Sequence, residues 1–312
     1  MALDLFYIVI FPGFLFLGAI SLVFEYIDRK LYARLQNRIG PRWYQPLADI
    51  IKLLTKETII PKEADRRFFA AVPMVALAAT TAAFLYVPIW SSRSLMPFAS
   101  DLIVVLYFLT IPTLCFFLAG WFSSSLFAQI GGVRALTQLF AYEVPLYMAL
   151  LAPALLAGTW SISGITAFYH QHPIYLLLNI PAFCICIISA QGKLERVPFD
   201  IPDAETEIVG GTFTEYSGRL LALFKMTLNS EMVVVAALIA AIFIPVFVQS
   251  AILNFLLFLV KVFVIVFVLA LMRASFARFR IDQMISFCWK VLAPISLAQI
   301  LVDIIVRGII LK

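Results

Sequence analysis

Long, nearly uninterrupted runs of apolar residues dominate the chain. Each is long enough to cross the roughly 30 Å hydrocarbon layer of a membrane as a helix, so the pattern predicts about eight transmembrane helices. The approximate ranges of these runs are 5–25, 68–90, 101–122, 133–157, 174–191, 217–247, 251–272 and 286–311. Several prolines fall within them, and a helix bundle tolerates such kinks when neighbouring groups satisfy the freed carbonyls. We therefore expect an all-α, polytopic membrane protein that forms a single transmembrane domain over residues 1–312.

A shorter segment between the first and second runs has a helical pattern of its own. In PLADIIKLLTKE the apolar residues Leu47, Ile50, Ile51 and Leu54 recur at i, i+3, i+4 and i+7, with charged residues on the other faces. The segment is too short to span a membrane. It predicts an amphipathic helix that either lies along the inner interface or covers a cavity between bundle helices.

Composition supports a lipid environment. Of the 312 residues, 63% are hydrophobic and 13% are charged, whereas an ordinary soluble domain is roughly 45–50% apolar. So few polar residues cannot cover the outside of a soluble protein of this size. The net charge is +5, but the basic residues are gathered in short segments, a pattern that bears on membrane topology and argues against nucleic acid as a partner.

The basic residues are concentrated in the loops of one side. Most lie between the first and second runs: Arg29, Lys30, Arg34, Arg38, Arg42, Lys52, Lys56, Lys62, Arg66 and Arg67. Later loops of the same side add Arg134, Lys193, Arg196, Arg219, Arg273, Arg278 and Arg280. The positive-inside rule predicts that this side faces the cytoplasm, with both termini outside, in the inner (cytoplasmic) membrane.

The residues that could bind a metal are few and scattered. The four cysteines, all within apolar runs, are Cys115, Cys184, Cys186 and Cys288. His170 and His172 lie in YHQHP without a third ligand nearby, which favours an interfacial turn. The sequence also has no Ser–His–Asp pattern and no phosphate-binding glycine loop. We therefore expect this chain to hold no catalytic residue, no metal and no iron–sulfur cluster.

Charged residues within the predicted spans are the candidates for function, because a charge at bilayer depth costs about 3 kcal/mol. Glu143 stands two residues before Pro145, whose kink could admit water; the alternative is an ion pair with Arg134 or another base on the inner side. Glu231 and Lys261 lie within the sixth and seventh runs. They could neutralise each other, or form a pair that stores and releases protons.

Two further acids lie near the ends of predicted spans. We expect Asp101 and Asp303 to be solvated there.

The densest group of acids is the inner-side stretch ERVPFDIPDAETEIVGGTFTEYSG, residues 195–218. Its carboxylates are Glu195, Asp200, Asp203, Glu205, Glu207 and Glu215. They could be ordinary solvated loop charges. However, apolar residues alternate with them, and partly buried carboxylates that repel one another should raise the pKa of at least one of the group. The stretch is therefore a candidate proton relay and a docking surface for a soluble partner.

Five long segments resemble one known family. They are DRKLYARLQNRIGP, QPLADIIKLLTKETIIP, GWFSSSLFAQIGGVRALTQLFAYEVPL, PFDIPDAETEIVGGTFTEYSG and MRASFARFRIDQMISFCWKVLAPISLA. Together they are similar to the membrane subunit of respiratory complex I that anchors its hydrophilic arm, which occurs in bacteria and is called subunit 1 in mitochondria.

The resemblance implies a bundle of eight helices between a soluble iron–sulfur arm and antiporter-like pumping subunits. The matching coupling residues would be Glu143 in YEVPL and the acids of the 195–218 stretch, with Glu231 and Lys261 added from their position in the spans. The segment that carries Arg29, Arg34 and Arg38 would contact the soluble arm. The iron–sulfur clusters would belong to the partner subunits.

Three departures distinguish the chain from most complex I members. Only Arg42–Tyr44 stands where the family usually has a longer insert near the quinone entrance, which argues against quinone as a cofactor. Lys193 replaces a glutamate, and the glutamate of the sixth span falls on Leu228, with Glu231 three residues later on nearly the same helix face. These features resemble membrane-bound [NiFe] hydrogenases, with a large hydrogenase-like soluble subunit, and ferredoxin-dependent sulfur-reducing complexes.

The sequence leaves three alternatives open. One is the arm-anchoring membrane subunit of a quinone-reducing complex I. Another is a free-standing secondary transporter, a class that usually shows internal repeats. The third is a structural anchor, in which each membrane acid is merely paired.

Overall fold

The computed structural model describes residues 2–91, 93–202, 205–248 and 250–310, and every regular element in those ranges is a helix. In chain order the α-helices are α1 (Ala2–Val9), α2 (Phe14–Leu35), α3 (Gln45–Thr55), α4 (Arg66–Leu85), α5 (Asp101–Phe122), α6 (Leu126–Ala157), α7 (Ile162–Gln171), α8 (Ile174–Leu178), α9 (Ile180–Lys193), α10 (Glu205–Ile208), α11 (Gly218–Phe243), α12 (Ala251–Ser275), α13 (Ile281–Phe287) and α14 (Ala293–Ile310). A 3₁₀ turn, Gly211–Phe213, precedes α11, and a π-helical turn, Cys288–Leu292, joins α13 to α14. The predicted all-α fold class is confirmed.

The described part of the chain contains seven helical segments that are long and apolar enough to span a membrane, and α9 is a shorter apolar helix. The fifth predicted span, 174–191, is divided into α8 and α9 at Asn179, whose buried amide donates to Tyr169 Oη at 2.9 Å. Pro181 stands in the first turn of α9, a position where proline marks the start of a helix. The apolar run was therefore correctly located but is not one continuous helix.

The first predicted span, 5–25, also differs from the structure. It is interrupted between α1 and α2, where Pro12 and Gly13 lie, and α2 continues ten residues beyond the predicted end, to Leu35. Proline removes a backbone donor and favours such a break. The extension matters because it brings the charged residues that follow residue 24 into the helix.

Two helices organise the packing. Helix α11 contacts α2, α3, α4 and α12, and its residues 229–243 are all buried. Helix α6 packs against α5, α9 and α14. By contrast, α12 and α14 carry exposed apolar side chains, among them Ile252 and Ile309, as expected for helices that face lipid.

The two ends of the bundle differ in character. We call residues 36–65, 123–125, 194–217 and 276–280 the loop-rich end, where Ser124 Oγ donates to Glu63 O at 2.9 Å. The opposite, far end carries both termini: Phe11 stacks on Trp90 with ring centroids 4.5 Å apart, and Arg307 donates to Leu155 O at 3.0 Å. The basic segments therefore share one end, as the charge pattern predicts. Which side of the membrane that end faces stays a prediction.

Helix α3 corresponds to the predicted amphipathic helix. Ile50 is buried, while Leu47, Ile51 and Leu54 stay exposed. Asp49 on its polar side accepts a hydrogen bond from Arg29 at 3.0 Å, which ties α3 to α2. The exposed apolar face agrees with a helix that lies along the membrane interface.

Candidate functional site

The central feature of the site is a buried ion pair. Lys193 is the last residue of α9, and its Nζ lies 2.6 Å from Glu231 Oε1 on α11. The side chains are 3% and 0% exposed, so water is excluded from both charges. Burying two charges is costly unless they face each other with good geometry, and the short distance provides that geometry.

Hydroxyl groups extend this pair toward α5 and α6. Lys193 Nζ also donates to Thr113 Oγ1 at 2.6 Å, and Thr113 Oγ1 lies 3.2 Å from Tyr142 Oη. Gln138 Nε2 donates to Gly192 O at 2.7 Å and so fixes the end of α9 against α6. The result is a connected polar chain between four helices in an otherwise apolar interior.

The predicted pairing of Glu231 with Lys261 is wrong. Lys261 Nζ donates to Val246 O at 2.6 Å and lies 4.4 Å from the centre of the Phe247 ring. It packs at the level of Ala237 and Ala241, about two to three helical turns from Glu231 along α11. Glu231 therefore pairs with Lys193 because α9 ends at its depth.

Glu143 is half-buried on α6 and accepts a hydrogen bond from Tyr147 Oη at 2.7 Å. The alternative ion pair with Arg134 is not formed, because the two residues are about two and a half turns apart on one helix. Arg134 instead binds Glu207. Glu143 adjoins Tyr142, so it lies next to the polar chain that begins at Lys193.

The 195–218 stretch is anchored by its apolar residues. Phe213 and Tyr216 are buried, and Tyr216 stacks on Phe69 with ring centroids 3.9 Å apart. Gly131 of α6 touches the backbone of this stretch so closely that an added Cβ would lie 2.7 Å from Gly211 C and Thr212 N. The described part of the stretch is therefore packed onto the bundle and is not a freely solvated loop.

Two of its acids form ion pairs near the surface. Arg278 holds Asp200 with two contacts of 2.6 Å, and Arg134 Nη1 lies 2.7 Å from Glu207 Oε2. The hydrogen bond and charge of Arg134 lower the pKa of the exposed Glu207. Mutual repulsion among carboxylates therefore does not determine the state of Glu207, because an arginine answers its charge.

The remaining predicted acids of the stretch are placed less fully. Glu215 is half-buried beside Tyr216. Asp203 lies outside the described residues, as does the side chain of Glu205, whose backbone begins α10. Glu195 is half-buried.

A second charged cluster, on α2, was missed by the sequence reasoning. Glu25 pairs with Arg29 and accepts from Asn229 of α11. Asp28, only 1% exposed, binds Arg196 at 2.9 Å and Arg273 at 3.3 Å. The sequence did contain a signal, because continuing the helical period beyond residue 25 places these acids on one face.

The three arginines predicted to dock a soluble arm differ in their surroundings. Arg29 is engaged by Glu25 and Asp49 within the chain. Arg34 and Arg38 are exposed at the loop-rich end.

Several smaller expectations need correction. Asp101 and Asp303 are both fully buried, not solvated, because each faces neighbouring helices of the bundle. Cys184 is exposed, whereas Cys186 is buried, so the two lie on different faces of α9 as expected. Among the described residues, no three His, Cys, Asp or Glu side chains gather into a group that could hold a metal.

Comparison with known proteins gives consistent matches along the chain. A family model described as NADH dehydrogenase matches residues 7–304. One subunit of the NADH-quinone oxidoreductase of Dehalococcoides mccartyi (strain CBDB1) is 32% identical over 95% of this chain and 84% of its own length. Subunit 8 of the Thermus thermophilus enzyme is 33% identical over 90% of this chain and 80% of its own length.

A solved structure is similar in three dimensions as well. One chain of an archaeal respiratory membrane complex, the membrane-bound sulfane sulfur reductase, superposes with a TM-score of 0.86 at 27% identity. The match covers 97% of this chain and 100% of that chain.

Proposed function

The chain belongs to the NADH dehydrogenase family, and from this premise we propose that it is the membrane subunit that anchors the soluble iron–sulfur arm of a complex I-related respiratory complex. In this role it couples electron transfer in the arm to proton or sodium translocation in the membrane. It is part of a multisubunit oxidoreductase but contributes no catalytic residue of its own. The iron–sulfur clusters belong to partner subunits, and antiporter-like subunits adjoin the chain in the membrane.

We assign the complex to the sulfur-reducing or hydrogenase type. This chain matches the entire length of the subunit in the sulfane sulfur reductase complex. The short Arg42–Tyr44 connection and the Lys193–Glu231 pair, where complex I usually has other residues, support the same choice. In a quinone-reducing complex I, the alternative, quinone-site inhibitors would block turnover and quinone would copurify.

The observation that carries the coupling role is that one short segment bears three sets of charges. Lys193 reaches the buried Glu231, Arg196 reaches Asp28 on α2, and Asp200 reaches Arg278 near the surface. Gln191 Nε2 stiffens the segment by donating to Val197 O at 2.6 Å. A displacement of residues 193–200 at the surface would therefore alter the distance within the buried pair.

This connection suggests how a redox signal would enter the membrane. A change of charge in the soluble arm would act on the surface ion pairs of Asp200 and Glu207. Movement of the segment would then weaken or strengthen the Lys193–Glu231 pair, and a weakened pair would favour protonation of Glu231. Glu143, Glu215 and Lys261 are further members of the proposed relay, with Asp203 and Glu205 in the acidic stretch.

The loop-rich end is the proposed docking surface, facing the cytoplasm with both termini outside. Arg34 and Arg38 are exposed there and would contact the soluble arm directly. Arg29 would act indirectly, by holding α3 against α2.

The deciding experiment is Glu231→Gln in the assembled complex. We expect electron transfer by the soluble arm to continue while ion translocation into vesicles is lost, because the amide cannot take up or release a proton. Glu63→Gln, an exposed acid at the same end, is the matched control and should translocate normally. Normal translocation by the Glu231 variant would contradict the relay.

Purification of the native complex tests the remaining assignments. Companion subunits with nickel-ligating cysteine pairs would identify a hydrogenase, and their absence together with sulfur-reducing activity would identify a sulfane sulfur reductase. Ion transport by the purified chain alone would favour a free-standing transporter instead. If neutralising substitutions affected only assembly, the chain would be a structural anchor.

A further inference from the structure

A second buried acid lies in the opposite half of the bundle, away from the acidic stretch. Asp303 of α14 is 0% exposed. Its Oδ1 accepts one hydrogen bond, from Gln299 Nε2 at 3.1 Å, and its Oδ2 has no hydrogen-bond partner among the described residues. Arg307, one turn later on the same helix, donates instead to Leu155 O. An ionised carboxylate at this position would face apolar surroundings with a single amide donor.

Asp101 shows what a buried acid needs in order to stay ionised. It is also 0% exposed, but it is the first residue of α5, and its Oδ1 accepts from Ile162 N at 2.6 Å in the first turn of α7. Free backbone N–H groups and the positive ends of two helix dipoles meet there and stabilise a negative charge. Asp303 lies in the interior of α14, where the backbone donors are already used within the helix. The two acids are therefore equally buried but differ in the stabilisation of their charge.

Polar side chains connect Asp303 to three other helical elements. Gln299 Nε2 donates to Leu178 O at 3.0 Å and lies 3.5 Å from Asn179 Oδ1. Asn179 Nδ2 donates to Tyr169 Oη, which in turn donates to Pro153 O at 3.1 Å. Tyr169, the titratable side chain of this network, is itself fully buried. These amide and hydroxyl groups form a continuous polar line in the far half of the bundle.

We propose that Asp303 holds a proton in the resting protein and is a proton-exchange site of the far half, distinct from the Lys193–Glu231 pair. The ligand is a proton on the Asp303 carboxyl group; only the O–H bond forms and breaks, and the released proton passes to water at the far end. The protonated state follows from the surroundings of Asp303 alone. Its participation in transport rests on the proposed coupling function.

Infrared difference spectroscopy of the intact complex at neutral pH tests the protonated state. The spectrum of the wild type minus that of Asp303→Asn should contain the carbonyl band of a neutral carboxylic acid, shifted in D₂O. Asp101→Asn is the matched control and should remove carboxylate bands instead. Carboxylate bands in the Asp303 difference spectrum, or bands that change with added sodium in place of pH, would overturn the proposal. If Asp303→Asn does not assemble, Asp303→Glu should retain a neutral-acid band at a displaced frequency, and loss of that band would count against it.

Transport measurements test the role of that proton. In vesicles, Asp303→Asn should lower the number of ions translocated per electron, and Asp303→Glu should restore it. An unchanged ratio in Asp303→Asn, alongside a lost ratio in Glu231→Gln, would refute the far-half site while leaving the proposed coupling function intact. Loss in neither variant would count against both.

Discussion

Two kinds of ion pair lie in the loop-rich half of this molecule, and they differ mainly in burial. The Lys193–Glu231 pair is enclosed by helices, whereas Arg134 and Glu207 keep 26% and 58% of their side-chain surface exposed. In a buried pair each charge depends on the other, because no water can replace a lost partner. An exposed pair exchanges partners with water and salt at little cost. The surface pairs are therefore suited to sensing a partner, and the buried pair to storing the consequence.

The largest expected effect comes from breaking the buried pair. Lys193→Met leaves Glu231 charged and unpaired, which should destabilise the fold by about 3–5 kcal/mol. The double variant Lys193→Met/Glu231→Leu should recover most of that loss, since both charges are removed, yet remain inactive in ion transport. Thermal unfolding of the purified complexes measures both. Equal stability of the single and double variants would contradict the dependence of one charge on the other.

A smaller effect is expected from the backbone contact that holds the acidic stretch. Gly131→Ala would place a Cβ 2.7 Å from the Gly211 backbone, and such overpacking typically costs about 1–3 kcal/mol. The control is Gly308→Ala, whose added Cβ would meet no atom within 4 Å and should be neutral or slightly stabilising because alanine favours helix. Protease protection of residues 195–218 should fall in the first variant alone. Equal protection in both would show that the contact does not position the stretch.

The exposed pair should have the smallest effect on stability. Arg134→Gln should change thermal stability little, and any change should vanish in high salt because exposed charges are screened. Docking of the soluble arm, measured by co-purification over a salt series, should weaken more than stability does. A large loss of stability that persists in high salt would place this pair with the buried one.

The pKa of Glu207 gives the same comparison a pH dependence. Because Arg134 lowers that pKa, the pair stabilises the folded state at pH values above the ordinary carboxylate range and loses this effect as pH falls through the lowered pKa. Wild type and Glu207→Gln should therefore differ at neutral pH and converge in acid. Convergence on raising the pH would mean that the shift has the opposite sign.

Much of the architecture followed from local pattern. Seven of the predicted runs correspond to segments long enough to span the membrane, and the period of Leu47, Ile50, Ile51 and Leu54 located α3. The division at Asn179 was harder to foresee, because it depends on a buried amide bonding to Tyr169 from another helix. Apolarity alone does not distinguish a continuous helix from two short ones.

The candidate site was predictable in its residues but not in its pairings. Sequence reasoning selected Glu231, and it noted the change at Lys193 without joining the two, because they are 38 residues apart and meet only when α9 packs near α11. It assigned Lys261 as the partner since both residues lie inside spans, whereas their depths differ. Asp28 and Asp303 were missed or set aside because each lies near the end of an apolar run, where exposure is the usual expectation.

The short length of α9 has a consequence for energetics. Fourteen residues give a helix of about 21 Å, roughly 9 Å less than the hydrocarbon thickness. Lys193 at its end therefore lies below the membrane surface, where part of the transmembrane voltage has already dropped. Since a full crossing of 100 mV changes the energy of one elementary charge by about 2.3 kcal/mol, a proton that reaches Glu231 from the loop-rich end has covered a fraction of that step. Membrane voltage would then oppose or assist protonation of the pair directly, and so act back on the redox reaction that drives it.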